Sequence, residues 1–486
     1  MLRSRIHTTA AVLFVLGIFS CLGRASAQTV ADEIGATALQ AINPTLTGSG
    51  IDIIQAEADN GPTNCFEVNP SSVSLPPSIF TYINSTGTIA TANFPNSVGT
   101  ESSHADGVAS IIAGIAPGLS GIDNYDASYY VNNVIGPGVT PASINAALHN
   151  APIVNQSWAY EGTSVPAWDQ PFDQYAEQNN VLFINAAGNP DTPGSNGTPM
   201  SPSTMYNGIC VNATGVATKG PTADGRSKPD LIAPAGETSF AAPVVTGAAT
   251  ILLQAANNNA GGPNTAAAAG DIRTMKALLL NGATKPAGWS HTSTAPLDPY
   301  WGSGIVNVYQ SYQELAAGRQ TVSVASTAGT SQISAPANLV LSSGWDLGSL
   351  SSASVANHYF FTAPSTGAAT DSLTATIAWD AEQWDSSGNA IINNLFLALY
   401  DTTDTTSSVA ISDSMVDNVQ QIDASGLVPG RTYDLEVYEP AAVVNNGAET
   451  YGIAYSVVPE PSTLLLLAAL SVCGIAAFLR RKRAAA

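Results

Sequence analysis

Apolar and polar positions follow two regimes along the 486 residues. Up to about residue 318, short apolar runs alternate with longer segments whose apolar residues recur at helical spacing. Ile51–Ala56, Pro152–Gln156, Val181–Ala186 and Ile209–Ala213 read as buried strands, while Trp168–Gln178, Ser239–Ala256 and Asp271–Asn281 read as helices. This alternation predicts an α/β domain on a mostly parallel sheet. Gly261–Gly270 reads as a small-residue linker. From Arg319 to Val457 the helical spacing fades. Short β-rich runs such as Leu373–Trp379 and Leu395–Tyr400 stand between clusters of Asp, Ser, Thr and Gly, a spacing that predicts an antiparallel sandwich with Trp379 in its core.

Both ends are patterned differently. Met1–Thr9 is basic, Ala10–Gly23 is apolar, and Ala25-Ser26-Ala27 offers small residues for cleavage, so residues 1–27 read as a signal peptide, with an uncleaved anchor as the alternative. At the other end Leu464–Leu479 is apolar and uncharged and is followed by Arg480-Arg481-Lys482-Arg483, which predicts a membrane helix with a cytoplasmic basic stop. The expected division is therefore a signal at 1–27, a first domain at 28–318, a β-sandwich at 319–457 and a sorting tail at 458–486.

Hydrophobic residues make up 45% of the chain and charged residues 10%, a balance that suits a globular secreted protein. The formal charge of −21 understates the acidity of the body. Without the two tails, eight basic residues face 35 acidic ones, a balance near −27. That excess argues against nucleic acid or an anionic membrane face as partner. It fits a solubility adaptation or a preference for cationic substrates. Cys21 and Cys473 fall in the tails, leaving Cys65 and Cys210 in the body, where export permits a bridge without the sequence deciding whether one forms.

Ser239 opens an apolar helical run in Thr238-Ser239-Phe240-Ala241-Ala242-Pro243. A nucleophile there gains from the helix dipole, and its own N–H can face a developing oxyanion; an ordinary capping serine would explain the residue too. Pro243 is expected to sit harmlessly in the first turn. His104 stands just ahead of a small-residue helix start, and imidazole can take a serine proton near neutrality. The other histidines lack such surroundings: His7 is in the signal, His149 precedes a strand, His291 is in a loop and His358 is in the β-rich region. Val181–Ala187 reads as a strand running into a tight turn at Gly188-Asn189-Pro190, where a carboxamide could donate to an oxyanion or simply make the turn.

Taken in order, these segments resemble the subtilisin-like serine proteases. Ser103–Gly114 is similar to that family's histidine segment, Ala186–Asn189 to its Ala-Ala-Gly-Asn turn, and Gly236–Pro243 to its Gly-Thr-Ser-Met-Ala-Ser-Pro. Arg226–Pro234 and Gly302–Asn307 also resemble family segments. Val458-Pro459-Glu460-Pro461, the apolar helix and the basic end together resemble a PEP-CTERM sorting signal, which implies processing by an exosortase at the inner membrane and then delivery to the cell surface or matrix.

The resemblance implies a serine endopeptidase acting on protein or peptide substrates, with no cofactor and no metal in its chemistry. It gives Ser239, His104 and Glu57 the triad roles and Asn189 the oxyanion role. Asn155-Gln156-Ser157-Trp158-Ala159 becomes the substrate-pairing strand and Met200 the pocket floor, although Trp158 and Met200 would equally serve as core filling. Several positions depart from the family pattern. A glutamate, Glu57, stands at the acid position; Ala105 and Gly107 replace a glycine and a second histidine; Glu237 replaces a glycine; and the segment between Pro234 and Ser239 is short. Only about 20 residues separate the signal from the first strand, too few for a folding propeptide. A catalytically silent fold used as a surface binding module stays open on these grounds. A serine-carboxyl protease would want an aspartate where Asn189 stands, and a non-peptide acyl hydrolase would want a Gly-x-Ser-x-Gly elbow that the chain lacks.

Overall fold

The computed structural model describes residues 30–460, apart from 60, 62–63, 137–150, 161–165, 193–194, 328–333, 353–354, 366–368, 405–406 and 441–447. The expected signal peptide, the C-terminal apolar segment and His149 lie outside the described residues. The first region contains β1 (Asp52–Glu57), β2 (Cys65–Glu67), β3 (Phe80–Ile83), β4 (Ile89–Thr91), β5 (Thr100–Glu101), β6 (Gly121–Asp126), β7 (Ile153–Gln156), β8 (Leu182–Ala186), β9 (Ile209–Ala213) and β10 (Leu231–Ala233). Eight of these form one sheet in the order β10-β9-β8-β7-β1-β6-β3-β4, parallel throughout except for the β3–β4 hairpin.

Helices cover both faces, so the central strands are buried almost end to end, as parallel sheets require. The helix Thr238–Asn257 is apolar on nearly every side and is buried from Ala241 to Ala256. By length and composition it could cross a membrane, yet 89% of its most apolar window lies inside the fold, and an all-round apolar helix of this kind belongs in a core. Strands β1, β7, β8 and β9 and the three expected helices fall within a few residues of where the apolar pattern placed them. The supposed linker is partly structured, with a short helix at Ala266–Ala269.

A second β-sheet region follows, with β11 (Val324–Thr327), β12 (Ser343–Leu350), β13 (Val355–Thr362), β14 (Asp371–Trp379), β15 (Gln383–Trp384), β16 (Ala390–Ile391), β17 (Phe396–Asp401), β18 (Ala410–Ser412), β19 (Val419–Leu427), β20 (Thr432–Tyr438) and β21 (Glu449–Pro459). Sheets ordered β11-β13-β20-β17-β18 and β12-β21-β14-β19 enclose a common core that includes Tyr359, Phe361, Leu397, Leu435, Ile377, Ile453 and Trp379. The two regions meet closely. Trp345 is fully buried against the first region and its indole N–H donates to the Leu315 carbonyl at 3.0 Å. At Gly452 a Cβ would stand 2.3 Å from the Arg273 backbone, so only glycine lets β21 pass the helix Ile272–Asn281 this closely.

Cys65 and Cys210 are both free thiols, on β2 and β9, so the bridge left open by the sequence is not made.

Candidate functional site

The site gathers where β1, β7 and β8 end and two helices begin, at the C-terminal edge of the sheet, where open parallel sheets place their ligands. Glu57 is the last residue of β1 and is fully buried. Gln55, two residues earlier, faces the same way because side chains alternate along a strand. Its Nε2 donates to Glu57 Oε1 at 2.9 Å and to the Ala105 carbonyl at 3.0 Å. Since that carbonyl can only accept, the Gln55 amide orientation is fixed, and Glu57 is held against the helix Ser103–Ile115.

His104 lies in the first turn of this helix, whose start is capped by Ser102 Oγ accepting from the Ala105 N–H. The remaining Glu57 oxygen, Oε2, is 2.8 Å from His104 Nδ1. Burial on its own would lower the imidazole pKa. The Glu57 hydrogen bond and charge, aided by the nearby charge of Glu237, outweigh it and raise the pKa above the ordinary value of 6.5.

The helix carrying Ser239 begins at Thr238, which makes Pro243 its sixth residue rather than a first-turn one. Pro243 has no N–H to give the Ser239 carbonyl four residues back. Ser157 Oγ fills that place, donating to Ser239 O at 2.8 Å, and Ser239 Oγ in return donates to Ser157 O at 3.1 Å. Asn155 braces the arrangement: its Nδ2 donates to Ser157 Oγ and its Oδ1 accepts from Thr246 Oγ1 on the serine helix. Proline and serine therefore fix the start of the helix to the end of β7. Among the described residues no hydrogen bond joins Ser239 Oγ to His104, though the imidazole lies beside the next residue, with the His104 and Phe240 ring centroids 5.7 Å apart.

Asn189 follows β8 through Gly188, whose φ of +96° suits glycine. Its Oδ1 accepts from the Thr238 N–H at 3.1 Å and from Thr238 Oγ1 at 3.0 Å. An N–H can only donate, so the oxygen must face Thr238 and the amide N–H₂ is turned away from it. Met200 is fully buried directly under the turn, its Sδ 2.8 Å from where a Gly188 Cβ would be. Trp158 and Ala159 are half-buried. The Trp158 ring packs with Tyr160 and Phe172 at centroid distances of 5.3 and 6.4 Å, so it borders an aromatic cluster rather than standing alone.

The sequence reading missed several contributors. Gln55 carried only a strand signal. Thr238 carries no signal of its own in the sequence, yet it orients Asn189. Gly107 stood out as a departure, and the structure supplies a reason: a Cβ there would lie 2.8 Å from Phe240 Cε1, so the helix packs closely only with a small residue opposite that ring. Glu237, a further departure, is exposed and lends its charge to His104. Arg226 is buried, stacks over Tyr206 at 3.8 Å and pairs with Asp224 at 2.8 Å, which makes this segment structural.

Comparison with known proteins gives two matches to protein families. Residues 68–295 match the Subtilase family, and residues 457–483 match the PEP-CTERM protein-sorting motif. No curated protein matches the chain. Among solved structures, a mutant of the protease domain of PatA is similar at 22% identity, over 56% of this chain and 97% of that one, with a TM-score of 0.38. Tripeptidyl Peptidase 2 (TPP II) is similar at 14% identity, over 77% and 41%, with a TM-score of 0.35. The PatG macrocyclase in complex with peptide is similar at 18% identity, over 58% and 95%, with a TM-score of 0.34.

Proposed function

We propose, from the premise that residues 68–295 carry a subtilase-family domain, that this protein is an exported serine endopeptidase with a Ser239–His104–Glu57 triad. The observation that carries the proposal is the fully buried Glu57 carboxylate 2.8 Å from His104 Nδ1. A carboxylate held there keeps the proton on Nδ1 and leaves the Nε2 lone pair to act as base. Ser239 Oγ then gives up one hydrogen bond, to the Ser157 carbonyl, and turns to the imidazole; exchanging a bond of that kind costs about 1 kcal/mol. Catalytic contacts commonly tighten only when substrate is bound.

As Ser239 attacks a peptide carbonyl, His104 takes its proton and later passes it to the leaving amine, while Glu57 steadies the imidazolium. The Asn189 N–H₂ and the Ser239 N–H would hold the oxyanion. In an enclosed site one such donor is worth about 3–4 kcal/mol. Ser157, Trp158 and Ala159 would pair with and border the substrate. Met200, fully enclosed, would support the pocket from beneath. A binding module with no chemistry has in its favour the Ser239 hydroxyl turned to Ser157. Labelling with a serine-reactive phosphonate separates the two readings: one label per chain on Ser239 supports the enzyme, and an unlabelled folded protein sinks it.

Because the base must be neutral, activity should rise with pH through the raised pKa of His104. Glu237→Gln removes one of the charges that raise it, so the acid limb of the pH–kcat/KM profile should move to lower pH. Glu237 is exposed, and the movement should shrink as salt is added. An unmoved limb at low salt would show that Glu237 does not act on the base.

The PEP-CTERM motif marks an exported chain with a membrane sorting tail, and exosortase processing before delivery to the surface or matrix is part of this proposal. The motif begins inside the fold. Pro459 pairs with Asp371 at the end of β21, and Glu460 accepts from the Gly426 N–H at 2.8 Å and from Thr370 Oγ1 at 2.7 Å. A chain ending at Glu460 keeps those contacts and should appear as active soluble protein in the periplasm or medium. Its retention on the inner membrane would place the anchor at the N-terminus instead.

A further inference from the structure

The β-rich region holds a second histidine–carboxylate cluster that the peptidase chemistry does not use. Along β13 and β20 alternate residues such as Tyr359, Phe361, Leu435 and Val437 point into the common core. The residues between them, His358, Asp434 and Glu436, face the other side of the five-stranded sheet. They are nevertheless only 0%, 3% and 1% exposed. His358 stands directly opposite Glu436 in the β13–β20 register and diagonally from Asp434. The ligating atoms of all three lie within 4.8 Å of one another.

His358 Nδ1 is 2.8 Å from Asp434 Oδ2, and its Nε2 is 2.6 Å from Ser326 Oγ on β11. This chain of contacts has the connectivity of a hydrolytic triad. A fully enclosed imidazole, however, could not pass a proton to a leaving group. The carboxylates point to another use. Among the described residues Asp434 Oδ1 and Glu436 Oε1 are buried with no hydrogen-bond partner, which leaves two carboxylate oxygens uncompensated beside the ring.

We infer that His358 Nδ1, Asp434 and Glu436 form a binding site for a divalent transition-metal ion of the zinc class, bracing the five-stranded sheet. One divalent ion would neutralise both carboxylates and use the Nδ1 lone pair. The Nε2–H would then donate to Ser326 Oγ, the kind of supporting contact that fixes the ring of a metal-bound histidine. One nitrogen and two carboxylates suit zinc and its neighbours, whereas calcium takes oxygen ligands only.

The test uses the full-length chain, stripped with a chelator, incubated with Zn²⁺ alone, passed through a desalting column and assayed for metal content. Wild type should retain one Zn²⁺ per chain. Glu436→Gln should weaken retention by more than the ~10–100-fold that loss of a supporting contact costs. Glu57→Gln, which disrupts the other histidine–carboxylate pair, should retain the ion. Zinc absent from wild type, kept in full by Glu436→Gln or lost from Glu57→Gln overturns the inference. If Glu436→Gln does not fold, Co²⁺ added to stripped wild type decides the matter. The visible absorption of a low-coordinate nitrogen–oxygen site upholds the inference, and a spectrum like that of hydrated Co²⁺ rejects it.

Discussion

Ser239→Ala should abolish peptide hydrolysis and phosphonate labelling while leaving a folded, exported protein. The hydroxyl removed makes one hydrogen bond, to the Ser157 carbonyl, so its loss should cost about 1 kcal/mol of stability. The Ser239 carbonyl keeps its partner in Ser157 Oγ, and the start of the helix keeps its geometry. Turnover should fall on the order of 10⁶-fold, with a residue of roughly 10³–10⁴ over water left to the oxyanion donors and substrate positioning. Hydrolysis of a fluorogenic peptide by purified variant and wild type, with far-UV circular dichroism as the folding control, provides the comparison. If the variant keeps substantially more activity than this, the nucleophile lies elsewhere.

How far the site could be read in the sequence depended on whether a residue's partners lay nearby in the chain. Glu57, His104 and Ser239 each close a strand or open a helix and Asn189 sits in the turn after β8, and turn and cap chemistry marks such places locally. Strands β8 and β9 were legible because they are continuously apolar. Strand β6, Gly121–Asp126, was not, because Asp123, Asn124 and Asp126 break its apolar run. Asn124 is buried because it bonds the backbone of Gln55, Phe66 and Val68, partners no local pattern shows, while Asp126 caps the short helix that follows it directly. The role of Pro243 was misread for the same reason: Ser157, 82 residues away, takes over the carbonyl that the proline leaves unpaired. His358 passed as an ordinary sandwich residue because its nearest carboxylate, Asp434, comes from a strand 76 residues further on.

Glu57→Gln should be nearly as damaging as loss of the nucleophile, for a reason the hydrogen bonds supply. Gln55 Nε2 must face the Ala105 carbonyl, so it continues to present a donor to the side chain at position 57. The new carboxamide therefore keeps its oxygen toward Gln55 and turns its N–H₂ to His104 Nδ1. That contact makes Nδ1 an acceptor and moves the ring proton to Nε2, the nitrogen that has to receive the serine proton. The wrong tautomer, together with loss of the charge that steadies the imidazolium, costs serine-protease triads about 10⁴-fold in turnover, or about 5 kcal/mol. Glu57→Asp keeps the charge but withdraws it from both Gln55 and His104 by over ~1 Å, a misplacement worth on the order of 10²-fold. Asp59 is the competing acid, yet its oxygens accept from the Asn64 and Cys65 N–H groups at 2.8 Å each and are held there. Asp59→Asn should therefore leave kcat almost unchanged. The expected order of kcat is wild type and Asp59→Asn together, then Glu57→Asp, then Glu57→Gln. A crippled Asp59→Asn beside a mild Glu57→Gln would move the acid two residues along the chain. Full activity in both, with Ser239→Ala inactive, would mean that His104 works without a carboxylate partner.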